Sequence, residues 1–135
     1  MYKKILIYVL LFASILTSAQ VVKFRAKLSS TRDYNSGSWG EFTEERISND
    51  LIVLDFDKAK VTIYMRENIE DFDIIKEYKT EISSDGTHIN TYKAVDKEGL
   101  KCTILFAYYP DNVKLGMGLF VRYGNFEYSY YGDYN

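Results

Sequence analysis

Apolar and polar residues alternate with a period of two along most of this chain. Val22, Phe24, Ala26 and Leu28 fall on one set of alternate positions, and Val21, Lys23, Arg25 and Lys27 on the other. That pattern predicts a strand with one wet face. TRDYNSGS, Thr31 to Ser38, reads as a polar loop, and Trp39 to Ile47 as a further strand. LIVLDFDKAKVTIY, Leu51 to Tyr64, predicts a hairpin. With its turn at Asp57 to Lys60, Phe56 pairs with Val61, Leu54 with Ile63 and Ile52 with Met65, while Asp55 and Thr62 take the opposite face. A one-residue slip would turn one apolar set to water, so this register is strongly specified.

The second half continues in the same manner. Phe72 to Ile82 reads as a strand with a bulge near Ile74-Ile75, where two apolar residues adjoin. SSDGT, Ser83 to Thr87, is a turn, and Thr87 to Val95 the next strand. DKEG, Asp96 to Gly99, fits a type I turn closed by a left-handed glycine. That turn sets Ala94 opposite Cys102 and Tyr92 opposite Ile104. Pro110-Asp111-Asn112 turns the chain after Leu100 to Tyr109, and LGMGLFVR and FEYSYY supply the last strands, on either side of Gly124. Eight or nine strands joined by short loops predict an all-β fold, an antiparallel meander forming a small barrel or sandwich.

The first residues do not share this alternation. Lys3 and Lys4 precede an almost unbroken apolar run from Ile5 to Leu16, and Thr17-Ser18-Ala19 supplies small residues suited to cleavage. The run is shorter than the about 20 residues that cross a bilayer. Residues 1–19 are therefore expected to be a cleaved signal peptide, and 20–135 a single β domain, exported to the periplasm or the medium. No transmembrane segment is expected in the mature chain. The 17 basic residues less Lys3 and Lys4 leave 15 against 19 acidic ones, a net charge near −4. Lysines scattered among acids give no footprint for nucleic acid.

Residues that could carry chemistry are few. Cys102 is the sole cysteine and His88 the sole histidine, which leaves no set of ligands for zinc. Cys102, facing Ala94, reads as a small buried apolar residue that forms no internal disulfide. In the expected register His88 lies opposite Tyr108, about 20 Å from Cys102 at about 3.3 Å per residue, too far for a nucleophile and its base. Asp55 and Asp57 lie at a turn beside Lys58 and Lys60 with no glycine to shape a calcium loop. Nothing selects one pair among 19 acids for glycoside hydrolysis. The expectation is a non-enzymatic protein without a cofactor or metal. The tail YGNFEYSYYGDYN offers one candidate site, an aromatic surface of Phe126, Tyr128, Tyr130 and Tyr131 for a protein, a glycan or a small apolar ligand.

Trp39 followed by NDLIVLDFDKAKVTIY, then Asp73-Ile74-Ile75 and DKEGLKCTI, resembles a group of small exported bacterial proteins with antiparallel β folds. The resemblance spans about Trp39 to Phe106 and implies a fold and a compartment, with no activity attached. Gly37-Ser38-Trp39 also resembles the G-x-W opening of lipocalin-like barrels, which implies a carrier of a small apolar ligand. Lipocalins end in a helix after the barrel, whereas this chain ends in strand-like sequence.

Overall fold

Eight antiparallel strands, each hydrogen-bonded to the next in sequence, close on themselves into a barrel in the computed structural model, which describes residues 20–109 and 116–133. The expected signal peptide at residues 1–19 and the turn at Pro110 to Asn112 lie outside the described residues. The barrel strands are β1 (Val21–Asn35), β4 (Leu51–Asp55), β5 (Lys60–Tyr64), β6 (Ile69–Glu77), β8 (His88–Asp96), β9 (Lys101–Tyr108), β10 (Met117–Arg122) and β11 (Phe126–Gly132). β11 pairs with both β10 and β1, which closes the ring. Three two-residue strands, β2 (Ser38–Trp39), β3 (Arg46–Ile47) and β7 (Glu81–Ile82), flank it. The barrel alternative is thus realised over the sandwich. Among the described residues no helix is long and apolar enough to cross a membrane.

Every barrel strand contributes apolar side chains to the interior. Phe24, Ile52, Leu54, Val61, Ile63, Phe72, Ala94, Ile104, Leu119 and Val121 are at most 1% exposed, and they join Tyr92, Cys102, Phe106 and Tyr130 in one cluster along the axis. The core is filled by side chains, as expected for a barrel of eight strands. Burying each of the larger of these apolar groups contributes about 1.5–3 kcal/mol, which is how a chain with a single thiol is held together.

The sequence pattern located the turns unevenly. Asp96-Lys97-Glu98-Gly99 forms the expected loop: the Asp96 N–H donates to the Leu100 carbonyl at 2.9 Å, and Gly99 takes the left-handed φ of 84° that the turn requires. Ala94 faces Cys102, Tyr92 faces Ile104 and His88 faces Tyr108. The expected bulge is present too, as a register shift between Ile74 and Lys76. The β4–β5 hairpin differs. Leu54 pairs with Val61 and Ile52 with Ile63, two residues away from the expected register, and Asp55 pairs with Lys60. A two-residue shift preserves every side chain's face, so the pattern cannot distinguish the registers. The turn keeps four residues but begins one position earlier, which releases Phe56 from the strand to pack on Tyr92, ring centroids 5.8 Å apart.

Two further expectations are corrected. Thr31 to Ser38 is not a loop: β1 runs to Asn35 and turns tightly at Ser36-Gly37 into β2. Trp39 to Ile47 is mostly not strand, although it returns alongside β1 through main-chain bonds from Gly40 to Asp33, Thr43 to Thr31 and Ser48 to Lys27. Within β1 the register to β11 shifts between Ala26 and Leu28, so Leu28 leaves the inward row and pairs with Tyr131. Gly132 permits this, because a Cβ there would lie 2.3 Å from the Arg25 carbonyl oxygen and 2.9 Å from the Phe24 ring.

Candidate functional site

At one end of the barrel three hairpin turns meet: residues 65–68 between β5 and β6, 97–100 between β8 and β9, and 123–125 between β10 and β11. Asp96 stitches two of them together. Its Oδ1 accepts the N–H groups of Glu98 and Leu100, each at 2.9 Å, and its Oδ2 accepts the Tyr123 hydroxyl at 2.9 Å. Burial pushes this carboxyl up, yet the N–H donors of Leu100, Glu98 and Gly99 and the Tyr123 hydroxyl outweigh it and hold the pKa below the ordinary value. The Lys97 ammonium donates to the Ile69 carbonyl and ties in the third turn.

Between these turns lies a cleft of about 510 Å³. One wall is aromatic. Tyr123, Phe126 and Tyr128 hold their rings nearly parallel, with interplanar angles of 19–30° and centroids 5.0–6.4 Å apart. Asn68, Glu70, Lys97 and Glu98 supply polar groups around them. Burial, reinforced by Glu70 and neighbouring tyrosines, pushes the Tyr128 hydroxyl well above the ordinary tyrosine range. Burial and the hydrogen bond to Asp96 do the same for Tyr123. Both hydroxyls therefore stay protonated at physiological pH. The Tyr123 proton is already given to Asp96, whereas the Tyr128 hydroxyl can donate; both offer ring faces and are poorly suited to act as bases.

The four residues of the expected aromatic surface separate into distinct environments. Phe126 stands at the rim, 37% exposed, and Tyr128 lies beside it, partly buried. Tyr130 is 8% exposed and belongs to the core. Tyr131 points to the other face of β11 and meets the Phe120 ring edge-on at 5.6 Å. Tyr123 completes the cleft in place of the last two. The sequence holds a signal for it: Tyr123 immediately precedes the Gly124-Asn125 turn, so its main chain bonds to Phe126 (2.8 Å) and its ring meets that residue's ring.

The outward row of β11 carries a second buried arrangement that alternation does not reveal. Glu127 is fully buried, accepting from Arg32 Nε at 2.9 Å and Arg122 Nε at 2.5 Å. The Trp39 ring lies 5.0 Å from both guanidinium carbons, and Phe42 lies 4.5 Å from that of Arg32. Ser30 and Ser129 share a buried hydroxyl bond at 2.9 Å.

The other candidate groups stay apart. Cys102 is buried, its thiol pushed up to about 11 by burial and by Asp96, and His88 sits at the far end of the β8–β9 ladder beside Tyr108. Asp55 accepts the Lys58 N–H at 3.1 Å and so closes its turn. No group of three or more His, Cys, Asp or Glu side chains among the described residues is placed to hold a metal ion. Comparison with protein-family models, with characterised proteins and with solved structures finds no match to this chain.

Proposed function

We propose that this protein is an exported, non-catalytic binding module that takes a ring-bearing, hydrogen-bonding ligand, of which a saccharide is the simplest, at the end of its barrel. The observation that carries the reading is the near-parallel set of Tyr123, Phe126 and Tyr128 in a cleft edged by Asn68, Glu70 and Lys97. Sugar rings stack on aromatic faces while their hydroxyls need donors and acceptors at the edge, and tyrosine serves both needs. Export rests on the character of residues 1–19 and is tested by N-terminal sequencing of the protein recovered from envelope or medium.

The carrier reading implied by Gly37-Ser38-Trp39 finds less support. A barrel that encloses an apolar ligand leaves its axis open, whereas side chains of all eight strands meet along this one. Titration of the isotope-labelled mature protein with a panel of neutral and acidic saccharides tests the proposal by amide chemical shifts. Saturable shifts confined to residues 68–70, 96–100 and 123–128 support it. Absence of saturable shifts across the panel, or shifts centred elsewhere, overturns it.

A further inference from the structure

The five arginines of the chain divide into two groups. Arg32 and Arg122 are committed to Glu127. Arg25, Arg46 and Arg66 come from β1, β3 and the β5–β6 turn, and they line one open cleft of about 920 Å³. This cleft borders the same 65–68 turn as the aromatic one, so Arg66 lines one and Asn68 the other. Among the described residues none of the three guanidinium groups has a carboxylate within ion-pair distance. Arg25 Nη1 donates to the Asn49 carbonyl at 2.9 Å, which fixes that side chain at the cleft wall.

Three cations and one anion, Asp50, line this surface of a chain whose overall charge is −2. Gathering like charges from three separate segments is unfavourable unless a counter-charge offsets their repulsion. Protein carboxylates perform that service for Arg32 and Arg122. Here Asp50 alone lines the cleft, and it makes no ion pair with any of the three. The guanidinium fork matches carboxylate and phosphate oxygens two at a time, and charge-assisted bonds of this kind are about twice as strong as neutral ones. Ser29, Ser48 and Asn49 add further polar groups, and Ile47, 94% exposed, adds an apolar edge. The volume exceeds what a single small ion needs.

We infer that this cleft binds an organic anion bearing two or more carboxylate or phosphate groups, held by Arg25, Arg46 and Arg66. The inference does not depend on the saccharide reading of the aromatic cleft. Arg46 and Arg66 are exposed and make no side-chain hydrogen bond among the described residues, so their substitution leaves the fold undisturbed.

Calorimetric titration of the mature protein at low ionic strength with inorganic pyrophosphate and, separately, with citrate tests the inference. Saturable one-to-one binding of at least one probe is expected. Arg46→Gln with Arg66→Gln should weaken it by about tenfold or more, from the strength of charged hydrogen bonds. Asp50→Asn should tighten it several-fold by removing the opposing charge. Preference for pyrophosphate assigns phosphate chemistry and preference for citrate assigns carboxylate chemistry, and either supports the site. Lys93→Gln with Lys101→Gln removes the same charge from exposed positions outside the cleft and should change affinity less than twofold. Failure of both probes to bind saturably overturns the inference. So does an equal loss in the arginine and lysine double variants, since that would be the mark of diffuse attraction.

Discussion

β11 buries both of its faces, and it does so by opposite means. Its inward row, Phe126, Tyr128 and Tyr130, runs from the rim of the aromatic cleft into an apolar core. Its outward row, Glu127, Ser129 and Tyr131, is covered by Trp39, Phe42 and Phe120 and is satisfied by two guanidinium groups and a hydroxyl pair. The inward row is held by area removed from water and tolerates no gap. The outward row is held by matched polar groups and tolerates no missing partner. One strand thus joins a core that positions the cleft to a polar seam that fastens residues 36–47 against the barrel.

Substitutions in the two rows separate these mechanisms. Phe72→Ala in the core should cost about 3–5 kcal/mol through lost transfer energy and a cavity, read as a lower urea midpoint. Glu127→Ala should cost about 3 kcal/mol by stranding two cations. That is the low end for a broken buried pair, because the Arg32 and Arg122 side chains are 20% and 33% exposed and can regain some water. A loss below about 0.5 kcal/mol for Glu127→Ala would show that the seam is ordinary surface.

The rows also differ in what a sequence discloses. The inward row was legible as alternation, and Asp96 to Gly99 fixed the β8–β9 register because a turn needing a left-handed glycine allows little choice. The β4–β5 register was two residues out because both registers bury the same faces. Leu28 changed face at a bulge that is permitted by Gly132, more than 100 residues away. Glu127 looked like an outward, wetted residue; one of its partners, Arg32, is 95 positions distant. Tyr131 entered the expected site because composition and alternation do not say which row meets the cleft, and Tyr130 because they do not say where along that row the core begins.

Alkaline titration gives a smaller and more general check on the inward row. Burial, followed by nearby carboxylates, pushes the Tyr92 and Tyr130 hydroxyls up to about 12 from an ordinary 10.0. The folded protein keeps these protons to higher pH than the unfolded chain does. Their contribution to stability is therefore complete below pH 10 and is lost as pH rises through about 12. Tyrosinate absorbance should rise in two stages, exposed rings first with the fold intact, and interior rings together with the loss of the circular dichroism signal. A single stage near pH 10 in folded protein would contradict the packing of these rings.

The effect smallest in stability bears most directly on function. Phe126→Ala truncates a rim residue and should cost less than about 1 kcal/mol of stability, since little of its surface is lost to a closed cavity. The decisive measurement is the affinity of the best saccharide from the panel for Phe126→Ala and for Tyr131→Leu, which alter adjoining parts of one strand on opposite faces. About a tenfold loss is expected for Phe126→Ala and unchanged affinity for Tyr131→Leu. Equal affinity in both variants and the wild type, or a loss confined to Tyr131→Leu, would contradict it.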